Sequence, residues 1–224
     1  MVYRMAIHPT LLGRGVDQLD GDFSKVELVD YTRDGGMLNS ALGSGRPVKT
    51  EFMPTRMLWD EAAGAIPDFE ASLADNISER AKALIERFEP DVHQFIPVDY
   101  VLGDGKLLEK RWFLVPCHRI DSTDHDLTTF AMIEHRNDDG SLWNKHWQSV
   151  YELAGNNEFE KIPPHLPRDT KSKLVFSNKK IGNRKLWMDM YLLSRKGPFM
   201  SDDIANAIVS AGLTGINPTL MESV

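Results

Sequence analysis

Two stretches decide the fold: Ile77-Ser-Glu-Arg-Ala-Lys-Ala-Leu-Ile-Glu-Arg-Phe88 and Phe199-Met-Ser-Asp-Asp-Ile-Ala-Asn-Ala-Ile-Val-Ser-Ala-Gly-Leu-Thr-Gly215. Ser78 and Ser201 are candidate N-caps, because a serine oxygen accepts hydrogen bonds from the N–H groups of a first helical turn. Acidic residues follow each serine, where the helix dipole favours negative charge. Apolar residues then recur at helical spacing, and Gly212 is suited to end the second helix. The two stretches therefore predict short amphipathic helices.

Several other runs predict strands, because they alternate polar and apolar residues or are rich in aromatic residues. In the first half, Pro97 indicates an edge or a bulge, and Gly103-Asp-Gly105 indicates a hairpin turn. Strands joined by short turns favour antiparallel pairing. We therefore expect an α+β fold: antiparallel sheet(s) with a few short amphipathic helices packed on one side. The predicted strands cover residues 25–31, 56–60, 92–102, 110–115, 173–176 and 185–191.

Motifs occur at four places in a fixed order along the chain. The first is Ile66-Pro-Asp-Phe69, and the second runs from Ser78-Glu-Arg80 through the helix to Val92-His-Gln-Phe-Ile-Pro97. The third is Arg111-Trp-Phe-Leu-Val-Pro-Cys-His-Arg-Ile-Asp121, and the last is the ending Ser-Asp-Asp…Ala-Gly-Leu-Thr-Gly. Together they resemble a large family of bacterial immunity proteins, first described in a myxobacterium and long known only as a domain of unknown function. The resemblance implies a gene beside that of a polymorphic toxin, often a nuclease with an Ala-His-His motif, and protection of the producing cell. It implies no catalytic residue and no cofactor.

The resemblance covers residues 66–217 and leaves the beginning of the chain unassigned. We therefore expect an N-terminal region of unassigned role over residues 1–65 and the α+β immunity domain over residues 66–224. One continuous globular unit over residues 1–224 is the other interpretation.

Composition is that of a water-soluble protein. The 224 residues are 42% hydrophobic and 26% charged, enough to bury one sizeable core or two small ones. No apolar run approaches the 18 or so residues of a membrane span, and the first residues lack the apolar segment of a signal peptide. The single cysteine, Cys117, is consistent with a reducing compartment. These features predict a cytoplasmic location and no membrane partner.

Charge is unevenly distributed along the chain, whose formal net charge is −7. Residues 76–160 carry nine basic and sixteen acidic side chains, whereas residues 161–224 carry ten and five. An acidic body argues against a nucleic-acid partner, because phosphate contacts need clustered lysine and arginine. It suits a basic protein partner, although the same charge also serves solubility.

The segment Cys117-His-Arg-Ile-Asp-Ser-Thr-Asp-His-Asp126 is the richest in reactive side chains. Asp and Ser residues are common in such loops because they form local turns, so the preferred interpretation is an exposed turn without a metal. Its acidic residues Asp121, Asp124 and Asp126 would then attract a basic partner. In the alternative, His118, Asp121, Asp124 and His125 hold a divalent cation for metal-dependent hydrolysis. Cys117 and His118 are adjacent, so on a strand they point to opposite faces, and the thiol is expected to be inert.

An aromatic group lies in Ser141-Leu-Trp-Asn-Lys-His-Trp-Gln-Ser-Val-Tyr-Glu-Leu153. Trp143, Trp147, Val150 and Tyr151 recur at spacings of three and four, which predicts one face of a helix. Core packing and an exposed aromatic patch beside Asp138 and Asp139 are both open, and the patch would be a candidate contact with a partner.

Two functions follow from the sequence. The preferred one is an immunity protein, not an enzyme, that binds and occludes a cognate toxin encoded by the adjacent gene. The alternative is the metal-dependent hydrolase. The glycine pairs near residues 13, 35 and 43 fit no phosphate-binding loop.

Overall fold

A computed structural model of the chain describes residues 1–7, 15–37, 40–71, 73–129, 131–148, 173–192 and 197–224. The described strands are β1 (Val2–Ile7), β2 (Val16–Gln18), β3 (Arg56–Trp59), β4 (Phe69–Glu70), β5 (Asn76–Ile77), β6 (Gln94–Val101), β7 (Leu107–Val115), β8 (Arg119–Ile120), β9 (Ala131–Arg136), β10 (Leu142–Gln148), β11 (Val175–Phe176), β12 (Leu186–Asp189), β13 (Phe199–Ser201) and β14 (Ile216–Ser223). The α-helices are α1 (Glu79–Phe88), α2 (Asn178–Ile181) and α3 (Asp202–Ser210), and 3-10 turns span Phe23–Lys25 and Glu61–Ala63.

The described strands form two larger sheets and one separate hairpin. Sheet 1 has the order β11-β14-β1-β13-β12-β8, sheet 2 has the order β2-β3-β6-β7-β5-β4, and β9 pairs with β10. The fold is α+β with mixed sheets, so the expectation of antiparallel sheets is wrong for three pairs: β3–β6, β8–β12 and β11–β14 are parallel. These neighbours are far apart in sequence, and such connections permit the parallel pairing that a short turn forbids.

The hairpin predicted around Gly103 is confirmed as β6 and β7. Their pairing runs from Gln94 opposite Val115 to Val101 opposite Leu107. Pro97 lies within β6, which is an inner strand of sheet 2. Pairing with β3 begins only at Asp99. The proline, which has no N–H to donate, therefore lies where β6 is not paired with β3.

The strand predicted over residues 25–31 is wrong. The Asp22 carboxylate accepts a hydrogen bond from the Ser24 N–H at 3.0 Å and begins the 3-10 turn there. Only Leu28 then makes a bridge, to Val48, while Val29 is exposed. A local cap therefore prevails over the alternating pattern.

Both predicted helices are confirmed, and they share one core cluster. The Ser78 oxygen accepts from the Ala81 N–H at 3.2 Å, as an N-cap does. After α3, the Gly212 N–H bonds to Val209 O and the Leu213 N–H to Ile208 O, which is the paired pattern of a Schellman end. The cluster joins apolar side chains of the helices with those of strands from both sheets: Met5, Phe69, Ile77, Ala81, Leu84, Ile85, Leu114, Leu186, Met200, Ile204, Ala205, Ile208 and Leu213.

Asp68 ties the two helices together. One carboxylate oxygen accepts from the Ser78 hydroxyl at 2.6 Å, and the other accepts from the Thr214 N–H at 2.9 Å. Gly215 follows in the left-handed region, and an added Cβ would meet Phe69 O at 2.0 Å. The Pro-Asp-Phe motif and the Leu-Thr-Gly ending, 146 residues apart, are thus two halves of one contact.

A buried polar network holds the β4–β5 hairpin to β6 and β7. The Arg111 Nε–H donates to Asn76 Oδ1 at 3.0 Å, and the Asn76 amide donates to the Glu70 carboxylate at 2.6 Å. The Tyr100 hydroxyl also donates to Glu70, at 2.8 Å. All four side chains are almost completely buried, so each depends on the others for its hydrogen bonds.

Residues before 66 contribute strands to both sheets. β1 lies between β13 and β14 in sheet 1, and β2 and β3 belong to sheet 2. The domain boundary between residues 65 and 66 stays a prediction. In the described residues, no helix combines the length and apolar character needed to span a bilayer.

Candidate functional site

The candidate site combines the β9–β10 hairpin with the loop over residues 121–127. Leu142–Gln148 is a strand, so the helix predicted over residues 141–153 is wrong for these residues. Val150 and Tyr151 lie outside the described residues. The dipeptide Asp139-Gly140 could have predicted the hairpin, because Asp-Gly between two strand-like runs favours a tight turn. Gly140 has the positive φ, 82°, that such a turn requires.

The turn of this hairpin carries two acidic residues. The Asn137 N–H donates to Ser141 O, and the Gly140 N–H donates to Asn137 O, each at 2.9 Å. Asp139 accepts from the Ser141 hydroxyl at 2.6 Å and from its N–H at 2.9 Å, and these hydrogen bonds lower the pKa of Asp139. Asp138 is exposed beside it. The turn therefore presents negative charge on a fixed backbone.

Trp143 lies at an irregularity of β10, between Leu142 and Asn144, where the register with β9 shifts. Such bulges redirect a side chain, and Trp143 is 45% exposed. The Arg33 guanidinium lies 5.3 Å from the centre of its ring, and the His135 ring contacts it edge-on at 6.0 Å. Trp143 is thus a large aromatic surface that is held in place yet open to solvent.

Trp147 lies on the same strand but is 7% exposed. Its main-chain N–H donates to Tyr191 O at 2.6 Å, and its side chain packs in a core cluster with Val2, Phe176 and Trp187. The structure therefore separates the two tryptophans: Trp147 is core, and Trp143 is available for a contact.

The acidic residues of the loop over residues 121–127 differ in their surroundings. Asp121 accepts from the Lys180 ammonium at 3.0 Å and contacts His125 Nε2 at 2.8 Å. Asp124 accepts from the N–H groups of Asp126 and Leu127, and so closes the turn. Asp126 is exposed. Asp121 and Asp124 therefore hold local structure, whereas Asp126 faces solvent.

A ring contact joins the loop to the hairpin. The His125 ring lies 5.0 Å from the Trp147 ring, edge-on, at the base of β10. A strand rises about 3.3 Å per residue, so the acidic turn at Asp139 lies roughly 25 Å from Trp147 along the hairpin. Acidic groups thus occur at both ends of the hairpin, with Trp143 between them.

The proposed metal ligands are not brought together. His118 Nε2 lies 3.2 Å from Glu89 Oε1, while His125 pairs with Asp121. The Lys180 ammonium contacts Asp121, where a cation would otherwise bind. In the part of the chain that the structure describes, no group of three or more His, Cys, Asp and Glu residues is arranged to hold a metal ion.

The structure shows a group that the sequence did not indicate: the buried residues Glu89 and His93, with the partly exposed His118. Glu89 accepts from the N–H groups of Lys185 and Leu186 at 2.7 and 2.9 Å. His93 Nδ1 accepts from the Cys117 N–H at 3.1 Å, so His93 Nε2 carries the proton donated to Glu89 at 2.7 Å. Burial alone would raise the pKa of Glu89, but the His93 and Lys185 hydrogen bonds lower it overall.

This group joins the end of α1 to β12, because the Glu89 carboxylate accepts hydrogen bonds from His93 and from the main-chain N–H groups at the start of β12. Burial lowers the pKa of His118 and raises the pKa of the half-buried Cys117 thiol. Cys117 Sγ contacts Val115 O at 3.2 Å. A thiol with a raised pKa is a poor nucleophile, which agrees with the inert role expected for Cys117.

No curated protein matches the chain. The model of the Immunity protein family (Imm11) matches residues 51–223, which is more than half of the sequence. This range includes the three described α-helices, the Asp68–Thr214 contact and the β9–β10 hairpin, and the chain therefore belongs to the Imm11 immunity protein family.

Proposed function

We propose that the chain neutralises a cognate protein toxin by binding it in a fixed ratio and covering its active site. The family match over residues 51–223 carries this proposal, since immunity against a toxin is the role of the family. The adjacent gene is the expected source of the toxin. In this proposal the chain acts without catalysis.

The β9–β10 hairpin is the proposed contact with the toxin. Trp143 offers a held, half-exposed aromatic side chain, the type enriched among residues that dominate binding energy. Asp138 and Asp139 lie at one end of the hairpin and Asp126 near the other, which would give the contact an acidic rim. A specific complex of this kind buries about 1,200–2,000 Å² in total.

The acidic rim favours a basic toxin, and a nuclease is the proposed class. A nuclease cleft is basic because it receives phosphates, and carboxylates can occupy the same positions. The net charge of −7 supports a basic partner over nucleic acid itself. A toxin that cleaves nucleic acid acts in the cytoplasm, so this is the proposed location of the immunity protein.

The experiment that tests this surface is a measurement of association rate. Asp126, Asp138 and Asp139 are changed to asparagine together, while Asp121 and Asp124 stay intact because they hold the loop. Rim charges act mainly on encounter, so association at low salt should slow several-fold and depend less on salt, with dissociation changed less.

The matched control changes three exposed acidic residues elsewhere: Asp17→Asn, Glu51→Gln and Glu61→Gln. Both triple variants lose three negative charges. If they slow association equally, only net charge matters, and the hairpin assignment is wrong.

A further inference from the structure

A cleft of about 500 Å³ lies between the two sheets. One side is formed by β1 and β12, including Met5 and Met188, and the other by β7 and the segment between β4 and β5. Most of the described lining is apolar. The charged side chains in it are Arg4 and Asp75.

Asp75 lines this cleft, and its carboxylate has no hydrogen-bond or ion-pair partner among the described residues. Its main chain is fixed, since its carbonyl oxygen accepts from the Leu114 N–H at 2.8 Å. Burial, together with the nearby charge of Glu70, raises the pKa of Asp75 to about 7. The carboxyl group is thus held in the cleft without a cation to stabilise its charge.

A second acidic residue, Glu70, lies on the same β4–β5 hairpin as Asp75. Glu70 is 1% exposed and accepts hydrogen bonds from Asn76 and Tyr100. Arg4, on β1, lines the cleft and has contacts of its own. The charge of Glu70 acts on Asp75, and the two negative groups together favour a bound positive charge.

Apolar residues surround the entrance. Leu73 is 50% exposed at the cleft. An adjoining depression shares Ser40 and Ala41 with the cleft and is lined by Val29 and Tyr31, which are 57% and 59% exposed. An alkyl chain could therefore cover apolar surface while its charged end reaches Asp75.

We propose that this cleft binds an organic cation on an alkyl stem, an ammonium or guanidinium group, with Asp75 as its counter-charge. The same chemistry occurs in a lysine or arginine side chain and in a free alkylamine or alkylguanidine. A basic side chain of the toxin is the source we assign, and this assignment rests on the proposed function.

The first experiment uses the protein alone, with its methionine methyl groups labelled with ¹³C. n-Butylammonium and n-butylguanidinium should shift the Met5 and Met188 signals, with a Kd on the order of millimolar for ligands of this size. Met57, buried in another core cluster, is the internal control. n-Butanol has a similar stem without charge and should bind at least severalfold more weakly.

Asp75→Asn should weaken binding of the two cations roughly tenfold at pH 8, whereas Asp17→Asn should not change it. For the wild-type protein, affinity should rise about tenfold between pH 6 and pH 8, because the carboxyl loses its proton over that range. Equal shifts by butanol, or equal binding by both variants, would overturn the site.

The second experiment identifies the source with the toxin. If the toxin supplies the cation, Asp75→Asn should weaken the complex relative to Asp17→Asn at pH 8. If both variants bind the toxin equally while the butyl cations still bind at Asp75, the site stands, and its ligand is a free cation. If the wild-type protein fails to bind the toxin at all, the proposed function fails, and the methyl-shift result still decides the site.

Discussion

At the scale of single residues, Ser78 and Ser201 begin helices of similar design but have different surroundings. Ser78 bonds to both the Ala81 N–H and the Asp68 carboxylate. Ser201 has no side-chain capping bond, and its buried hydroxyl oxygen has no hydrogen-bond partner among the described residues. Sequence could identify both as helix starts, but it could not show which hydroxyl is bonded. Part of that difference depends on Asp68, which lies 10 residues before Ser78 and accepts a hydrogen bond from its hydroxyl.

Ser78→Ala should therefore lower the free energy of unfolding by about 1–2 kcal/mol, because it removes an N-cap. Ser201→Ala should change it by less than about 0.5 kcal/mol, since the lost hydroxyl is unsatisfied. Urea unfolding of both variants measures the difference. Equal losses would show that the two serines cap their helices equally.

Glu89 gives stability a dependence on pH. Its pKa is lowered on folding, so its contribution is present above its unfolded pKa of about 4.5 and is lost as pH falls through the folded value. The lowered pKa of His118 also makes stability fall as pH falls. Below about pH 6.5 the imidazole takes up a proton in the unfolded state at a higher pH than in the folded state. Glu89→Gln should cost about 1–3 kcal/mol at pH 7, and the cost should shrink below about pH 4.5.

Urea unfolding at pH 7, 5.5 and 4 tests this expectation. Glu86→Gln, on the same helix but with a more exposed side chain paired to Lys82, is the matched control and should change little at any pH. A constant difference between Glu89→Gln and the wild type across this range would contradict the assigned role of Glu89.

At the scale of elements, the β9–β10 hairpin shows how local patterns mislead. Spacings of three and four between Trp143, Trp147 and Val150 indicate a helix, yet residues 142–148 pair with β9. The bulge places Trp143 outside while Trp147 is inside, which a regular strand would not allow because residues four apart share a face. The β6–β7 hairpin was predictable because its turn and both strands are adjacent in sequence. The bulge depends on pairing geometry, which sequence spacing does not contain.

Trp143→Ala and Trp147→Ala should separate binding from stability. Trp147→Ala should cost about 3–5 kcal/mol of stability, because it empties a core position. Trp143→Ala should cost less than about 1 kcal/mol and weaken toxin binding by about 2 kcal/mol, roughly thirtyfold. Thermal melts and equilibrium binding measure the two effects. If Trp143→Ala binds the toxin normally, the proposal that the hairpin contacts the toxin is wrong.

At the scale of the whole molecule, the polar contacts that hold the elements together join residues that are far apart in the sequence. Asp68 meets Thr214 across 146 residues, and Glu89 meets Lys185 across 96. The order of the family motifs was readable from the sequence, and the α+β class with it. Sheet order, the parallel pairs and the inter-sheet cleft were not, because periodicity reports only on neighbours along the chain.

The central claim is neutralisation by binding and not by turnover, and titration of the toxin tests it most directly. A fixed amount of the proposed cognate toxin is mixed with increasing amounts of this protein, at concentrations far above Kd, and residual toxin activity is measured. Neutralisation by binding predicts a linear loss of activity that ends at a fixed whole-number ratio and does not change with incubation time. Complete silencing by a small fraction of an equivalent, growing with time, would contradict it.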